Sequence, residues 1–400
     1  MQKIMQINIT CGRGSTGKLA QALYEASAQA GYAVDFAYSA YTPTLPRAFP
    51  IENKLQNYLR RALNRYFGRK QRHSNAGTRR LIRHIEQEQP DLIHLHNIQQ
   101  NSVNYHKLLG YLKEAGVPVV YTLHDCWPIT GGCFHFTKKN CSQYRNGCKE
   151  CAIKVHPDDI TNHAKDAYES KKKLIGGNEK LYPICVSNWL RDCARDSYMG
   201  SMSHLPDTIY NGINTELFCP KKSNIRKTFG IPENAFMVLG VASFWTEEKG
   251  LLFLLKAAEK LPKDTVLVLV GQGTEQFKKG NVFYVPHIEN QEQLAQLYST
   301  ADVYVNGSIE ETFGMTTAEA LACGTPAIVF DSTACPEVVD GNTGIVIQKN
   351  IDDLINAIDT IRLRGKVSYS QYCVDRVTTY FSESRMIQDY LALYRRILNG

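Results

Sequence analysis

Two glutamates separated by seven residues, Glu311 and Glu319, stand around a predicted turn into a helix. Gly314 allows the backbone to turn, and residues 315–323 predict a short helix that ends at Gly324. Two carboxylates beside a site for an anion would repel that anion unless they hydrogen-bond to neutral groups, and sugar hydroxyls are neutral donors. The pair is therefore suited to a ligand that carries hydroxyl groups.

The start of this helix offers a complementary site for negative charge. The first backbone amides of a helix have no partners within it, and the helix dipole adds positive potential there. The amides around Met315, Thr316 and Thr317 are therefore predicted to bind an anion such as a diphosphate. A diphosphate together with sugar hydroxyls describes a sugar nucleotide. The alternative is an ordinary strand-to-helix turn with solvated glutamates.

This segment resembles the Glu-x7-Glu motif of family-4 retaining glycosyltransferases, because Phe313, Gly314 and residues 322–326 also agree with the family position by position. The resemblance implies an α/β GT-B fold. In that fold two Rossmann-like domains face each other across a cleft, and a C-terminal helix crosses back to the first domain. The resemblance also implies that Glu319 holds the donor ribose and that Glu311 holds the donor sugar.

The same resemblance assigns catalytic roles to two more residues. Lys249 matches a lysine that meets the donor phosphates, and His124 matches a histidine that faces the donor sugar. Departure of the diphosphate is the difficult step, so Lys249 and the helix amides would stabilise the growing negative charge. Packing beside Trp127 is the alternative role for His124. Many family members carry an arginine where this chain has Phe244, so either Lys249 acts with helix amides alone or another arginine substitutes.

The other donor contacts that the resemblance implies are spread along the chain. They lie in a glycine-rich loop, an Asn-Gly turn, a loop near the nucleotide base and the helix start, namely Gly14, Gly17, Asn211, His287, Ile288, Gly314, Met315, Thr316 and Thr317. No Asp-x-Asp sequence occurs, so the metal bridge of the other major glycosyltransferase fold has no ligands. We expect the reaction to need no metal or other cofactor.

The glycine-rich loop also leaves a competing class open. Gly12, Gly17 and Lys18 form most of a P-loop, but Leu19 occupies the position whose hydroxyl would hold Mg²⁺. A P-loop kinase or NTPase would show ATP hydrolysis that depends on Lys18. A third class, a non-catalytic sugar-nucleotide-binding subunit, would bind the donor without turning it over.

Strands and helices alternate along the chain, which predicts parallel sheets with ligands at the carboxyl ends of the strands. We predict one domain over 1–203, a second over 204–380, and a C-terminal helix over 381–400 that packs on the first domain. His94 and His96 straddle the end of a predicted strand at 91–95 without an apparent third ligand. This pair is therefore not interpreted as a metal site.

An insertion at about 126–155 contains four cysteines with the spacing C-x7-C-x6-C-x2-C, namely Cys133, Cys141, Cys148 and Cys151. Four thiolates with one C-x2-C pair match a structural zinc site, which would stabilise a segment that has few apolar residues. Reduced cysteines packed on the domain and a redox switch are the alternatives. Twelve cysteines in 400 residues are too sparse for a disulfide scaffold, so most are predicted to be structural thiols.

The net charge of +7 is concentrated in residues 47–83, which hold eleven Lys or Arg and one acid, Glu52. Apolar residues recur at helical spacing from Leu55 to Phe67, which predicts a basic amphipathic helix. An anionic membrane surface is the favoured partner, and a solvated helix face is the alternative. No nucleic-acid-binding signature accompanies the charge, so nucleic acid is not expected as a partner.

The N-terminal residues alternate between apolar and polar, which predicts a first strand and not a signal peptide. No apolar run approaches the roughly 20 residues of a membrane span. We therefore expect a cytoplasmic protein, peripherally associated with the inner face of the cytoplasmic membrane. By resemblance to bacterial enzymes of capsule, exopolysaccharide or O-antigen synthesis, the expected donor is a UDP-sugar. The expected acceptor is a glycan or a polyprenyl-diphosphate-linked sugar.

Overall fold

The structure is a computed structural model that describes residues 1–40, 44–52, 75–99, 103–149, 151, 164–273 and 280–400. The chain divides into two compact units. Unit 1 comprises Met1–Ile209 together with Ile387–Gly400, and unit 2 comprises Tyr210–Met386. Both junctions fall later in the chain than the breaks at 203/204 and 380/381 that the sequence predicted. The predicted amphipathic helix from Leu55 to Phe67 lies outside the described residues.

Unit 1 is built on a parallel sheet. Its strands are β1 (Lys3–Ile7), β2 (Ala33–Tyr38), β3 (Ala48–Pro50), β4 (Leu92–Leu95), β5 (Val119–Leu123), β6 (Leu181–Cys185) and β7 (Asp207–Thr208). Within the described residues they lie in the order β3-β2-β1-β4-β5-β6-β7. Every residue of β4 and β5 is buried, as expected of central strands that are covered on both faces. Chain order reverses between β1 and β4, and ligands bind at such a switch point in open α/β sheets.

Helices connect these strands, as the alternating pattern predicted. They are α1 (Gly14–Gln29), α2 (Asn75–Glu88), α3 (Tyr105–Ala115), α4 (Ala164–Lys171) and α5 (Asn188–Arg195). Local sequence fixes where they begin: the Asn104 side chain accepts from the Lys107 amide to cap α3 (3.2 Å), and the Ser187 side chain accepts from the Leu190 amide to cap α5 (3.1 Å).

Unit 2 repeats the arrangement with a second parallel sheet. Its strands are β8 (Phe236–Phe244), β9 (Thr265–Gln272), β10 (Val282–Val285), β11 (Val303–Asn306), β12 (Ala327–Phe330) and β13 (Gly344–Ile347). Its helices are α6 (Ile225–Thr228), α7 (Leu251–Ala258), α8 (Gln291–Thr300), α9 (Met315–Ala322), α10 (Cys335–Val338), α11 (Ile351–Arg364) and α12 (Val367–Arg376). The described strands follow the order β10-β9-β8-β11-β12-β13, with a switch point between β8 and β11. Two Rossmann-like parallel sheets confirm the predicted α/β class.

The last helix, α13 (Glu383–Leu398), begins in unit 2 and ends in unit 1. In unit 1 it supplies two buried phenols to the central strands. The Tyr394 hydroxyl lies 2.5 Å from His94 Nδ1, and the Tyr390 hydroxyl lies 2.7 Å from Thr122 Oγ1. His94 Nε2 in turn lies 2.7 Å from Thr122 Oγ1, so these buried polar groups satisfy one another. Nowhere in the described ranges is a helix both long and apolar enough to span a membrane.

Candidate functional site

In unit 2 the loop after β8 and the loop after β11 approach each other through their backbones. Gly250 has a φ of 81°, and a Cβ built on it would lie 2.2 Å from the carbonyl oxygen of Gly307. A side chain is therefore excluded at Gly250 both by its conformation and by this close approach. The Ile309 amide also donates to the Glu248 carbonyl (3.4 Å). The two loops leave adjacent strands at the switch point, so the side chains beside this contact come together.

Lys249 and Glu311 form an ion pair at this contact, with 2.6 Å between Lys249 Nζ and Glu311 Oε1. The lysine side chain is 41% exposed and the glutamate side chain is 18% exposed. An ion pair in contact with solvent contributes little to folding stability. The importance of this pair therefore lies in where it places the two charged groups. The structure thus brings together two residues that the sequence predicted as catalytic, with the lysine accessible to a ligand.

Helix α9 begins immediately after this pair. Gly314 has a φ of 100°, a left-handed conformation that favours glycine, and it turns the chain into the helix. Its carbonyl accepts from the Thr317 amide (3.0 Å) and the Ala318 amide (3.1 Å). The Thr317 amide is therefore already engaged, which corrects the expectation that it stands open to an anion. The predicted anion site then rests on the amides of Met315 and Thr316.

Glu319 lies within α9 and is oriented by a tyrosine that the sequence analysis missed. The Tyr298 hydroxyl donates to Glu319 Oε2 (3.1 Å), and burial raises the pKa of Tyr298, which keeps the phenol a donor. A second buried phenol, Tyr304, donates to Thr316 Oγ1 (2.8 Å). Nothing in the sequence distinguishes these tyrosines from ordinary core aromatics.

The remaining predicted donor residues of unit 2 lie elsewhere in it. Asn211 is buried in the turn whose next residues pair with the segment before α13. His287 is exposed and Ile288 is half-buried in the loop after β10. Among the hydrogen bonds described for unit 2, none joins Asn211, His287 or Ile288 to the Lys249–Glu311 pair. Phe244, in place of the expected arginine, is 57% exposed at the end of β8.

In unit 1 the glycine-rich loop follows β1 and leads into α1. Gly14 is the first residue of α1, and Gly17 is buried against Thr10. Asn97, which follows β4, donates from Nδ2 to Thr16 Oγ1 (3.4 Å), so the loop is tied to the neighbouring strand end. Leu19 is 5% exposed and packs in the core. The position that would present a Mg²⁺ ligand in a P-loop therefore faces inward, which gives the NTPase alternative no support.

His124 directly follows β5 and contacts His96, which directly follows β4. His124 Nε2 lies 3.2 Å from His96 Nδ1. Burial lowers the pKa of His124 to about 4 and lowers the pKa of His96 well below its usual value. Both imidazoles are therefore neutral at pH 7. At pH 7 His124 is therefore suited to form a hydrogen bond with a ligand, but it does not supply a positive charge.

The half-buried carboxyl of Asp125 and the buried amine of Lys171 hold the loop after His124. Asp125 Oδ2 accepts from Gln99 Nε2 (2.6 Å), while Oδ1 accepts from the Trp127 amide (2.8 Å). Lys171 donates to the Trp127 carbonyl (2.6 Å) and lies 4.0 Å from the centre of the Trp127 ring. Burial raises the pKa of Asp125 to about 6 and lowers the pKa of Lys171 to about 7. The contacts of Gln99 with Asp125 and of Lys171 with Trp127 were not predictable from the sequence, because they join segments far apart in the chain.

The cysteine-containing insertion packs on unit 1 through aromatic side chains. Phe136 and Tyr144 stack with 4.4 Å between ring centres, both are buried, and the Tyr168 hydroxyl donates to the Tyr144 carbonyl (2.9 Å). Cys133 and Cys148 are buried, and Cys141 and Cys151 are partly exposed. In the part of the chain that the structure describes, no three His, Cys, Asp or Glu side chains form a group able to hold a metal ion.

The predicted zinc site at the four cysteines therefore lacks structural support and stays a prediction. One zinc per chain is its expected result, measured by metal analysis of protein purified without chelators. Loss of that zinc to a chelator would lower Tm, because binding energy at a structural site is folding energy. Zinc content near zero in normally folded protein would eliminate the site and favour cysteines packed on the domain.

Family comparisons match both units. Residues 16–166 match the model described as glycosyltransferase family 4, and residues 235–362 match the model described as glycosyl transferases group 1. The first match begins within the glycine-rich loop and contains Gly17 and His124. The second contains Lys249, Glu311 and Glu319.

Individual proteins extend these matches. An alpha-maltose-1-phosphate synthase of Mycolicibacterium smegmatis is 26% identical over 248 residues, which is 54% of this chain and 62% of that protein. Sucrose-phosphate synthase from Thermosynechococcus elongatus has a TM-score of 0.73 at 20% identity, with 100% of both chains covered. Anabaena HepE, solved with UDP and glucose, has a TM-score of 0.67 at 17% identity, with 98% of this chain and 99% of that chain covered. At these identities the structural likeness establishes the fold.

Proposed function

We propose, from the premise that this chain is a GT-B glycosyltransferase with a family 4 domain and a group 1 domain, that it moves a sugar from a nucleotide diphosphate sugar to a hydroxyl acceptor. The observation that carries the proposal is the Lys249–Glu311 ion pair, 2.6 Å long, at the start of α9. A UDP-sugar is the favoured donor, and the UDP and glucose bound to the HepE neighbour support that choice.

In the proposed chemistry, groups that create positive potential stabilise the leaving diphosphate. Negative charge grows on the diphosphate as its bond to the sugar breaks, and Lys249 with the Met315 and Thr316 amides would stabilise that charge. Lys249 is exposed enough to leave Glu311 for a phosphate. Glu311 would then hold donor sugar hydroxyls and steady positive charge at the anomeric carbon. Glu319, oriented by Tyr298, would hold the ribose hydroxyls.

The proposal includes retention at the anomeric carbon, which the family resemblance implies, and independence from metal, which rests on the lack of an Asp-x-Asp sequence. Lys249 and the helix amides would supply the positive potential that a divalent cation supplies elsewhere. His124, neutral at pH 7, would contribute a hydrogen bond to the donor sugar. That role for His124 rests on the resemblance, together with its place at the carboxyl end of β5.

A donor screen followed by a turnover assay tests this function. Sugar nucleotides with different bases and sugars are compared by thermal shift, and we expect a UDP-sugar to raise Tm most. Release of UDP is then measured with and without EDTA, and the anomeric configuration of the product is read by NMR. Binding without turnover on any acceptor would favour a non-catalytic subunit, and loss of turnover in EDTA would overturn metal independence.

We further propose a glycan or polyprenyl-diphosphate-linked acceptor in surface polysaccharide synthesis, with the protein held at the inner face of the cytoplasmic membrane. The support is the cluster of basic residues in 47–83, part of which lies on α2 in Arg79, Arg80 and Arg83. Charge reversal at Arg60, Arg61 and Arg65 should release most of the protein from anionic liposomes, since each basic residue near the surface contributes about 1 kcal/mol. Equal co-sedimentation of the wild type and this triple Glu variant would contradict the membrane proposal.

A further inference from the structure

Thr333, in the loop after β12, has a backbone conformation that is unfavourable for its residue type. Its φ of 51° lies in the left-handed region, where the side chains of L-residues are strained. Among the non-glycine residues with positive φ in the described ranges, which are Gln89, Asn140, Cys148 and Thr333, it is the β-branched one. Glycine would adopt this conformation without strain. Strain of this kind persists where a side chain is needed in that place, often at a functional site.

The side chain of Thr333 contacts the backbone of Glu311. Its Oγ1 accepts from the Glu311 amide (3.0 Å), and the amide of the next residue, Ala334, donates to the Glu311 carbonyl (3.2 Å). Ser332 donates from Oγ to the Ile309 carbonyl (2.8 Å). The loop that carries Glu311 is therefore held by three consecutive residues of the loop after β12.

Cys335, two residues further along, is anchored to the loop after β11. Its buried thiol donates to the Ser308 carbonyl (3.9 Å), and burial raises the pKa of this thiol to about 12. The thiol is therefore protonated at pH 7 and adds no negative charge beside Glu311.

We propose that Thr333 is a positioning residue for Glu311. Through the hydrogen bond to the Glu311 amide it fixes the loop backbone, and with it the carboxylate that pairs with Lys249 at 2.6 Å. This inference rests on the proposed function for the contribution of Glu311 to sugar transfer. The contact between Thr333 and Glu311 does not depend on that function and is testable without it.

Two substitutions separate the hydroxyl from the backbone conformation. Thr333→Gly relieves the strained φ and removes the hydroxyl, so we expect Tm to be unchanged or raised while kcat falls by about 10- to 100-fold, the scale of a small misplacement of a reacting group. The donor KM should change little. Thr333→Ser keeps a hydroxyl on the same backbone and should restore most of the lost kcat. A purely structural role would lower Tm and would not show this rescue.

Hydrogen exchange provides a readout that needs no substrate. In the wild type the Glu311 amide is protected by the bond to Thr333, so Thr333→Gly should speed exchange in a peptide covering 309–313 at least about tenfold, while Thr333→Ser should not. Gln89→Gly is the matched control, because Gln89 in unit 1 also has a positive φ, of 45°. It should leave both turnover and exchange of 309–313 at wild-type values.

The outcomes separate this inference from the proposed function. Wild-type kcat in Thr333→Gly, or unchanged exchange in 309–313, would overturn the positioning role while leaving sugar transfer intact. A wild-type protein that turns over no donor would overturn the proposed function. In that case the exchange comparison would still decide whether Thr333 holds the Glu311 loop.

Discussion

Glu311→Gln is expected to lower kcat by about 100-fold or more with little change in the donor KM. The substitution keeps the shape and one acceptor oxygen but removes the charge. Glu311 lies beside the site where the diphosphate leaves, so its proposed contribution is to the transition state, through sugar hydroxyls and positive charge at the anomeric carbon. In the variant, Lys249, which lies 2.6 Å from Glu311 in the wild type, would keep a neutral hydrogen-bond acceptor but would lose its electrostatic attraction to a carboxylate. Steady-state kinetics on the donor found by the screen measures the effect.

Two other glutamates provide the comparison. Glu310→Gln removes the same charge from the adjacent residue and should leave kcat near the wild-type value. Glu319→Gln should act mainly on KM, because a carboxylate that holds ribose binds the ground state and the transition state alike. If Glu311→Gln keeps near wild-type kcat while Glu319→Gln abolishes turnover, the two carboxylates have been assigned the wrong roles.

Lys249→Met should lower kcat by about 100- to 1000-fold, the loss typical of removing one group that stabilises developing negative charge. Methionine keeps most of the length of the side chain and removes the ammonium. Phe244 stands where the family resemblance implies an arginine, so the site is expected to depend on Lys249 more than a site with two cations would. Turnover at saturating donor is the measurement.

Lys256→Met, on the exposed face of α7, is the control for loss of a positive charge in unit 2. It should leave kcat unchanged. The double variant of Lys249 and Glu311 should lose less than the product of the two single losses, because the residues are in direct contact and act together. Fully multiplicative losses would show that the two residues act independently, and wild-type turnover in Lys249→Met would remove this lysine from the mechanism.

The fold was largely predictable because its signals are local. The strand predicted at 91–95 is observed at Leu92–Leu95, and the helix predicted at 315–323 is observed at Met315–Ala322. Buried apolar runs that alternate with capped helices are sufficient to identify a doubly wound parallel sheet. The pairing of Lys249 with Glu311 follows from that topology, since both residues leave strands at one switch point.

The contacts that support the site were not predictable, because they join residues far apart in sequence. Thr333 lies in a stretch with no special sequence pattern. Its proposed positioning role is recognised only from its positive φ and from its hydrogen bond with the Glu311 amide. Lys171 reaches Trp127 from a helix whose sequence reads as an ordinary charged surface. The Thr317 amide was predicted to be open to an anion, but it donates to the Gly314 carbonyl. General rules for helix N-termini do not predict which of the first amides forms such a three-residue turn.

The buried tyrosines of α13 determine when unit 1 becomes complete during synthesis. A ribosome releases the N-terminal side of the chain first, so β4 and β5 emerge long before Tyr390 and Tyr394, which follow unit 2 in the chain. Until then His94 and Thr122 lack the phenols that satisfy them, and a buried polar group without its partner is costly. The whole of unit 2 is translated in that interval. Unit 1 is thus begun before unit 2 and completed only after it.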